Sequence, residues 1–226
     1  MKVIFLNTWN AKVPDAIKTF IADQSLNTEI FCFQEAYEAM QELTESVIPE
    51  YKKMEAYKYL DENDSFSQAT YIKDIPILSS GAITDNNQAT GLALYIQTRF
   101  GDKDVYICNA HGVSRPIDKL DNPGRIRQSE MIIDFFKNKS GIKIIGGDFN
   151  LLPEAESIRI FEENGYIDLI KKYDIKTTRN ELAWAKYPNN KQYYADYAFI
   201  SPDTDIKSFS VPNLKVSDHL PLILEI

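Results

Sequence analysis

The chain has 226 residues, 44% of them hydrophobic, with a formal net charge of −8 at pH 7 and a pI near 4.9. That length and apolar content suit one domain, residues 1–226, with a sizeable core. The negative charge disfavours a broad basic surface that grips duplex nucleic acid by counterion release, while leaving room for a nuclease that carries its own cation.

In chain order, Val3 to Leu6 is a fully apolar run that reads as a central strand, and it ends in the polar cluster Asn7-Thr8-Trp9-Asn10. Pro14 and Asp15 open a helix with Ile17, Phe20 and Ile21 at helical spacing. A strand from Glu29 to Phe33 delivers Gln34-Glu35, and a helix over Glu38 to Ile48 is stopped by Pro49. Four strand-like segments follow, Tyr51 to Leu60, Phe66 to Lys73, Ile75 to Ile83 and Gly91 to Thr98, with polar turns at Asp61 to Asp64 and Asp85 to Asn87. A strand from Asp104 to Ala110 ends at His111. A Pro-containing loop, Ser114 to Pro123, then leads to a helix over Gly124 to Lys137 with a buried stripe of Met131, Ile132, Phe135 and Phe136.

The strand Ile142 to Ile145 drives an apolar run into Gly146-Gly147-Asp148-Phe149-Asn150. Glycines at such a strand end let backbone approach a ligand closely, although an ordinary turn is the plainer reading of these residues taken alone. A helix from Glu154 closes at Asn164-Gly165, and a loop carrying Trp184 follows. Strands near Tyr194 to Ile200, Ile206 to Val211 and Leu220 to Ile226 complete the chain, the last preceded by Ser217-Asp218-His219. Strands arrive in hairpin-like pairs as well as alternating with helices, so two mixed sheets packed face to face with helices outside fit better than a doubly wound parallel sheet.

Cys32 and Cys108 each sit in an apolar run and read as buried thiols rather than a disulfide or zinc ligands, as suits a reducing compartment. The N-terminus falls short of a signal peptide and no run is long enough to span a bilayer, so a cytoplasmic protein is expected. No internal repeat and no obligate protein partner is evident.

The strand ends offer Asn7, Glu35, Asn109, His111, Asp148, Asn150, Asp196, Asp218 and His219, all oxygen or imidazole groups. Carboxylates and amides suit a hard cation such as Mg²⁺ or Mn²⁺, whereas zinc would prefer more His or Cys. Both histidines of the chain fall in this set, each beside Asn or Asp after a strand, which favours function over two coincidentally packed core imidazoles.

The ordered series Leu6-Asn7-Thr8-Trp9, Gln34-Glu35, Asn109-Ala110-His111, Gly147-Asp148-Phe149-Asn150, Ala195-Asp196-Tyr197 and Ser217-Asp218-His219 resembles the endonuclease/exonuclease/phosphatase superfamily. The group includes pancreatic deoxyribonuclease, abasic-site endonucleases, neutral sphingomyelinases and inositol-polyphosphate 5-phosphatases. The resemblance spans nearly the whole chain. It implies an α/β (α+β) fold, a four-layer sandwich of two mixed, mostly antiparallel β-sheets flanked by helices, and a Mg²⁺- or Mn²⁺-dependent phosphoesterase. By similarity Glu35 is the principal metal ligand with Asn7 nearby and Asp218 as a second, and His219, oriented by Asp196, activates or positions the attacking water or stabilises the phosphorane. Asp148 and Asn150 hold the nucleophile and a phosphate oxygen, while His111, with Asn109 beside it, contacts the phosphate and protonates the leaving oxygen. No counterpart is found for the glutamate that orients the first histidine in some nuclease members.

Arg115, Arg125, Arg127 and Arg179 are candidates to meet substrate phosphate, Arg125 and Arg127 being equally readable as solvated or ion-paired. Trp9 and Trp184 would stack on a base or sugar, with burial in the core as the plainer reading of each. The substrate is then a small or lipid-derived phosphoester, or DNA or RNA. A non-catalytic binding protein on the same fold is the remaining alternative, disfavoured because it has no use for a cluster of carboxylates.

Overall fold

The computed structural model describes residues 1–61, 64–185 and 188–226. Glu62 and Asn63 of the expected polar turn, and Lys186 and Tyr187 of the loop carrying Trp184, lie outside the described residues.

Two six-stranded sheets stack face to face. The first half of the chain provides β1 (Lys2–Asn7), helix α1 (Pro14–Ser25), β2 (Ile30–Gln34), α2 (Glu38–Val47), β3 (Lys52–Asp61), β4 (Asp64–Ile72), β5 (Ser79–Ala82), β6 (Leu92–Phe100) and β7 (Lys103–His111). The second half provides α3 (Pro123–Phe136), β8 (Ile142–Asp148), α4 (Glu156–Glu163), β9 (Ile167–Asp168), α5 (Leu169–Lys172), α6 (Glu181–Trp184), β10 (Asp196–Ile200), β11 (Ser208–Ser210) and β12 (Leu222–Glu225). The sheet orders are β11-β12-β1-β2-β4-β3 and β5-β6-β7-β8-β10-β9. Each carries a single parallel pair at its centre, β1 with β2 and β7 with β8, and antiparallel neighbours on both sides.

The central strands are apolar throughout because both of their faces are covered. Along β1, Val3 and Phe5 join the core that runs between the sheets, while Ile4 and Leu6 face outward with Phe20 and Ile21 of α1. Ile30 and Cys32 of β2 alternate in the same way with Phe31 and Phe33. This period of two lets one short strand serve two layers of packing. Cys32 and Cys108 are free and fully buried.

The sheets approach closely where β8 carries its glycines. A Cβ at Gly146 would lie 2.9 Å from the Phe5 ring, and one at Gly147, whose φ is +131°, would lie 2.1 Å from the Ala110 carbonyl oxygen. The close backbone approach that these glycines permit is therefore taken up by Phe5 and by the neighbouring strand.

Asn122 caps α3 by accepting from Arg125 N at 3.0 Å. Its buried apolar residues are Ile132, Ile133 and Phe136; Met131 and Phe135, expected in the stripe, are only half-buried. Helix α4 starts at Glu156 instead of Glu154, because Asp121 accepts from Glu156 N at 2.6 Å and Ser157 N at 3.0 Å and sets the first turn there. The chain ends meet, Met1 N donating to Ile226 O at 2.7 Å beside the β1–β12 ladder.

Candidate active site

Parallel pairing turns the C-terminal ends of β1, β2, β7 and β8 to one edge of the sandwich, and these ends deliver Asn7, Glu35, His111 and Asp148. Strand β10 runs antiparallel to β8 with Asp196 opposite Asp148. The segment 178–180 pairs with 218–220, Leu220 N donating to Thr178 O at 2.8 Å, and brings Asp218, His219 and Arg179 to the same edge.

Asp148 is the hub. Its Oδ2 accepts from Asn7 Nδ2 at 2.9 Å and lies 3.8 Å from His219 Nε2 and 3.9 Å from His111 Nε2, while its Oδ1 accepts from Asn150 N at 2.9 Å. On the far side of the His219 ring, Nδ1 lies 2.9 Å from both oxygens of Asp196. Asp148, Asp196, His111 and His219 are all buried. His111 and His219 therefore both present Nε2 to one carboxylate oxygen.

The electrostatics follow from that crowding. Burial alone would raise the Asp148 carboxyl, but His219, Lys119, His111 and Arg179 together hold it below its ordinary range. Asp196 is pushed up, chiefly by burial. Burial and Arg179 favour neutral His219, yet Asp196, Asp218 and Asp148 outweigh them and raise its pKa. Glu35 is raised by burial, with Asp148 and Asp218 adding repulsion and His219 and Asn7 partly relieving it.

The donor set fits a hard cation. Glu35 is a carboxylate held with its charge disfavoured among other carboxylates, which a divalent ion would relieve. Asp148, Asp196 and His219 also place ligand atoms within 4.8 Å of one another. There, however, the imidazole is already engaged by Asp196, so that trio reads better as a hydrogen-bonded acid–imidazole relay. Asn7, expected as a metal ligand, turns its NH₂ group to Glu35 (3.3 Å) and Asp148 (2.9 Å), and its oxygen accepts from Trp9 N at 3.0 Å. An NH₂ group cannot ligate a cation; in this position Asn7 spaces the two carboxylates.

Asn109, expected at the substrate, is spent inside the protein. Its Oδ1 accepts from Gln34 Nε2 at 2.6 Å and its Nδ2 donates to Phe33 O, Ala69 O and Thr70 Oγ1 at 3.2–3.3 Å, bridging the two sheets beneath the site. Gln34 acts with it, so in the Gln34-Glu35 pair only the second residue reaches the edge.

Beside the cluster opens a cleft of about 550 Å³ lined by Trp9, Ile117, Lys119, Asn150, Arg179, Leu182, Trp184 and Asp218, among others. Lys119 was not expected here. Its Nζ donates to Asn150 Oδ1 at 3.3 Å, and burial, opposed by Asp148, lowers it to about 8. The loop that carries Lys119 is held by Arg125, whose buried guanidinium donates to the carbonyls of Val113 (3.1 Å), Pro116 and Leu120. Arg125 is thus a loop staple and takes no part in the cleft wall. Arg115 is exposed on that loop, outside the cleft lining. Arg179 pairs with Asp218 at 2.8 Å. Neither tryptophan is a core residue: both are half-buried and both line the cleft.

Left-handed backbone concentrates at these positions: Trp9 (φ 48°), Glu35 (50°), Lys119 (59°) and Asn150 (56°). Each costs on the order of 1–2 kcal/mol for a residue with a Cβ. No spacing rule announces them in sequence.

Two stacked mixed sheets flanked by helices, with acids and imidazoles gathered at their strand ends, define a protein of the α+β sandwich class. Residues 6–219 match the model of the Endonuclease/Exonuclease/phosphatase family, and the chain belongs to that family, whose members are hydrolytic phosphoesterases. Among solved structures, the chain is similar to a mannosyl-6-phosphatase of Bacteroides thetaiotaomicron (17% identity, TM-score 0.78, covering 100% of this chain and 98% of that one). It is also similar to a humanized TDP2 of D. rerio (16%, 0.74, 99% and 97%) and to the catalytic domain of human Nocturnin (17%, 0.72, 99% and 92%). These likenesses are of fold. No curated protein matches the chain significantly in sequence. Among the described residues, no helix is long and apolar enough to cross a membrane.

Proposed function

We propose that the chain is a divalent-cation-dependent phosphoesterase that hydrolyses a phosphodiester or phosphomonoester by direct attack of water, with Glu35 and Asp218 as cation ligands. The observation that carries the reading is the Asp196–His219–Asp148–His111 array, two imidazoles facing one carboxylate oxygen with the second imidazole anchored at 2.9 Å.

Asp196 fixes the proton of His219 on Nδ1 and leaves Nε2 to face the reacting water. Three carboxylates raise the proton affinity of that ring, so it can take the water's proton and hold it as imidazolium. Asp148 and Asn150, joined through Asn150 N, orient the water and a phosphoryl oxygen. His111 Nε2, 3.9 Å from the same Asp148 oxygen, stands to donate to the leaving oxygen. Asn7 keeps Glu35 and Asp148 apart with one NH₂ group. A bound Mg²⁺ or Mn²⁺ would supply charge neutralisation on the phosphoryl oxygens and a polarised leaving group.

A small phosphoester is favoured over nucleic acid because the chain carries a net charge of −8 and its cations at the site, Lys119 and Arg179, sit inside a cleft of bounded volume. The test is hydrolysis of an aryl phosphodiester with and without Mg²⁺ or Mn²⁺, alongside Glu35→Ala and His219→Ala. Both variants should lose most activity and a chelator should abolish turnover. Equal turnover by wild type and both variants would discard the site.

A further inference from the structure

The cleft beside the acid–imidazole array is lined by two chemically different sets of side chains. One is polar, with Lys119, Arg179 and Asn150. The other is apolar, with Trp9, Trp184, Leu182 and Ile117, the last 79% exposed. The tryptophans come from distant parts of the chain, one after β1 and the other closing α6, yet they line one cavity.

Each ring is held in place. Trp9 takes a left-handed backbone conformation fixed by the bond from its N–H to Asn7 Oδ1, and Lys12 Nζ lies 4.6 Å from its ring centroid. Trp184 donates from Nε1 to Gln192 O at 3.1 Å, has Tyr193 at 5.0 Å between centroids, and has Lys191 Nζ 5.4 Å from its centroid. Half-buried indoles fixed this firmly give up little freedom when a flat group packs on them. Ser114, Asn190, Gln192 and Asp218 line the same cleft, but Gln192 Nε2 is engaged by Ile117 O at 3.1 Å and Asp218 by Arg179 at 2.8 Å, so fewer of these groups are free to match a sugar's hydroxyls than the lining alone suggests.

We propose that the cleft is a subsite for a compact aromatic ring carried by the phosphoester, Lys119 and Arg179 gripping the phosphoryl oxygens while Trp9 and Trp184 pack on the ring. The proposal rests on the phosphoesterase reading for the position of the phosphoryl group, and extends it to the organic part of the substrate.

The chain's two tryptophans both line this cleft, so their emission reports its occupancy without turnover. Phenylphosphonate, methylphosphonate and glucose 6-phosphate are titrated against the full-length protein, in Mg²⁺ and in chelator. Phenylphosphonate should bind about tenfold more tightly than methylphosphonate, a gap owed to the ring alone. Glucose 6-phosphate should bind no better than methylphosphonate. Trp184→Ala and Trp9→Ala should each remove most of the gap while keeping methylphosphonate affinity, which also certifies their fold, and Trp184→Phe should keep part of it. Equal affinities for the two phosphonates, a gap that survives both alanine variants, or a preference for glucose 6-phosphate would each overturn the assignment. A protein that shows the gap but hydrolyses no phosphoester keeps the ring subsite and loses the catalytic reading; hydrolysis without the gap does the reverse.

Discussion

Gly147→Ala puts the geometry of the β8 end to a quantitative test. A methyl group there would lie 2.1 Å from the Ala110 carbonyl oxygen and 3.0 Å from Gln34 Nε2, roughly 1 Å closer to the oxygen than real Cβ atoms come. Overpacking against backbone costs about 1–3 kcal/mol, and the backbone conformation at φ +131° adds about 1–3 kcal/mol for a residue with a Cβ. The sum is about 4 kcal/mol, a large share of the 5–15 kcal/mol typical of a domain. Gly165→Ala is the control, since Gly165 has φ +84° and nothing within 4 Å of the added carbon; it should lose about 1–2 kcal/mol. Urea unfolding of both variants separates strain from collision. Because Asp148 follows directly, a displacement of this size should also cut turnover about a hundredfold. Two variants unfolding within 1 kcal/mol of each other, roughly the control's own strain cost, would refute the close approach of β7 and β8 at this point.

Asp196→Asn should lower kcat by about 10³-fold, about 4 kcal/mol of transition-state stabilisation, without lowering the melting temperature, because burial already disfavours that carboxylate; a loss under tenfold would remove Asp196 from the relay. Glu35→Gln should melt at a higher temperature than wild type in chelator, since it removes a buried charge facing Asp148 and Asp218, and added Mg²⁺ should narrow that difference by stabilising wild type alone. Burial pushes Asp168 up to about 6, above its unfolded value near 3.9. Its contribution to stability is therefore greatest below about pH 4 and declines as pH rises through 6, by about 2–3 kcal/mol. Asp168→Asn, which keeps the acceptor for Ile170 N, should flatten that slope in urea unfolding at pH 4.5 and 7.5. Arg125→Met leaves the carbonyls of Val113, Pro116 and Leu120 without their donor and should cost about 3 kcal/mol, with faster proteolysis in 113–120 and lower kcat/KM; an unchanged melting temperature would contradict the staple.

Much of this architecture was legible because its central strands are short, apolar and followed at once by polar residues. Val3 to Leu6 and Ile142 to Ile145 both read as strands, and the residues after them fall at the shared edge. The two-residue β9 and the four-residue α5 and α6 passed unread, being shorter than any period that could announce them. Asn109 looked like a ligand because its amide is chemically fit for one; only three-dimensional bookkeeping of Gln34, Ala69 and Thr70 shows it fully engaged. Lys119 went unnoticed for the opposite reason. A lone lysine in a Pro-containing loop reads as solvated, and its burial depends on Arg125, Leu152 and Asn150 closing around it from separate segments. Gly146 and Gly147 were read as letting backbone approach a ligand closely; the close approaches they make are to the Phe5 ring and the Ala110 carbonyl.

β1 lies between β2, the next strand in sequence, and β12, drawn from the opposite half of the chain, and Asp218 and His219 stand just ahead of β12. Without β12 the apolar edge of β1 would stand unpaired, and the segment that carries His219 would lose its anchor. Under the proposed reading, pairing β12 with β1 and delivering Asp218 and His219 to the shared edge are a single folding step, so a substitution that weakens this ladder should cost stability and turnover together.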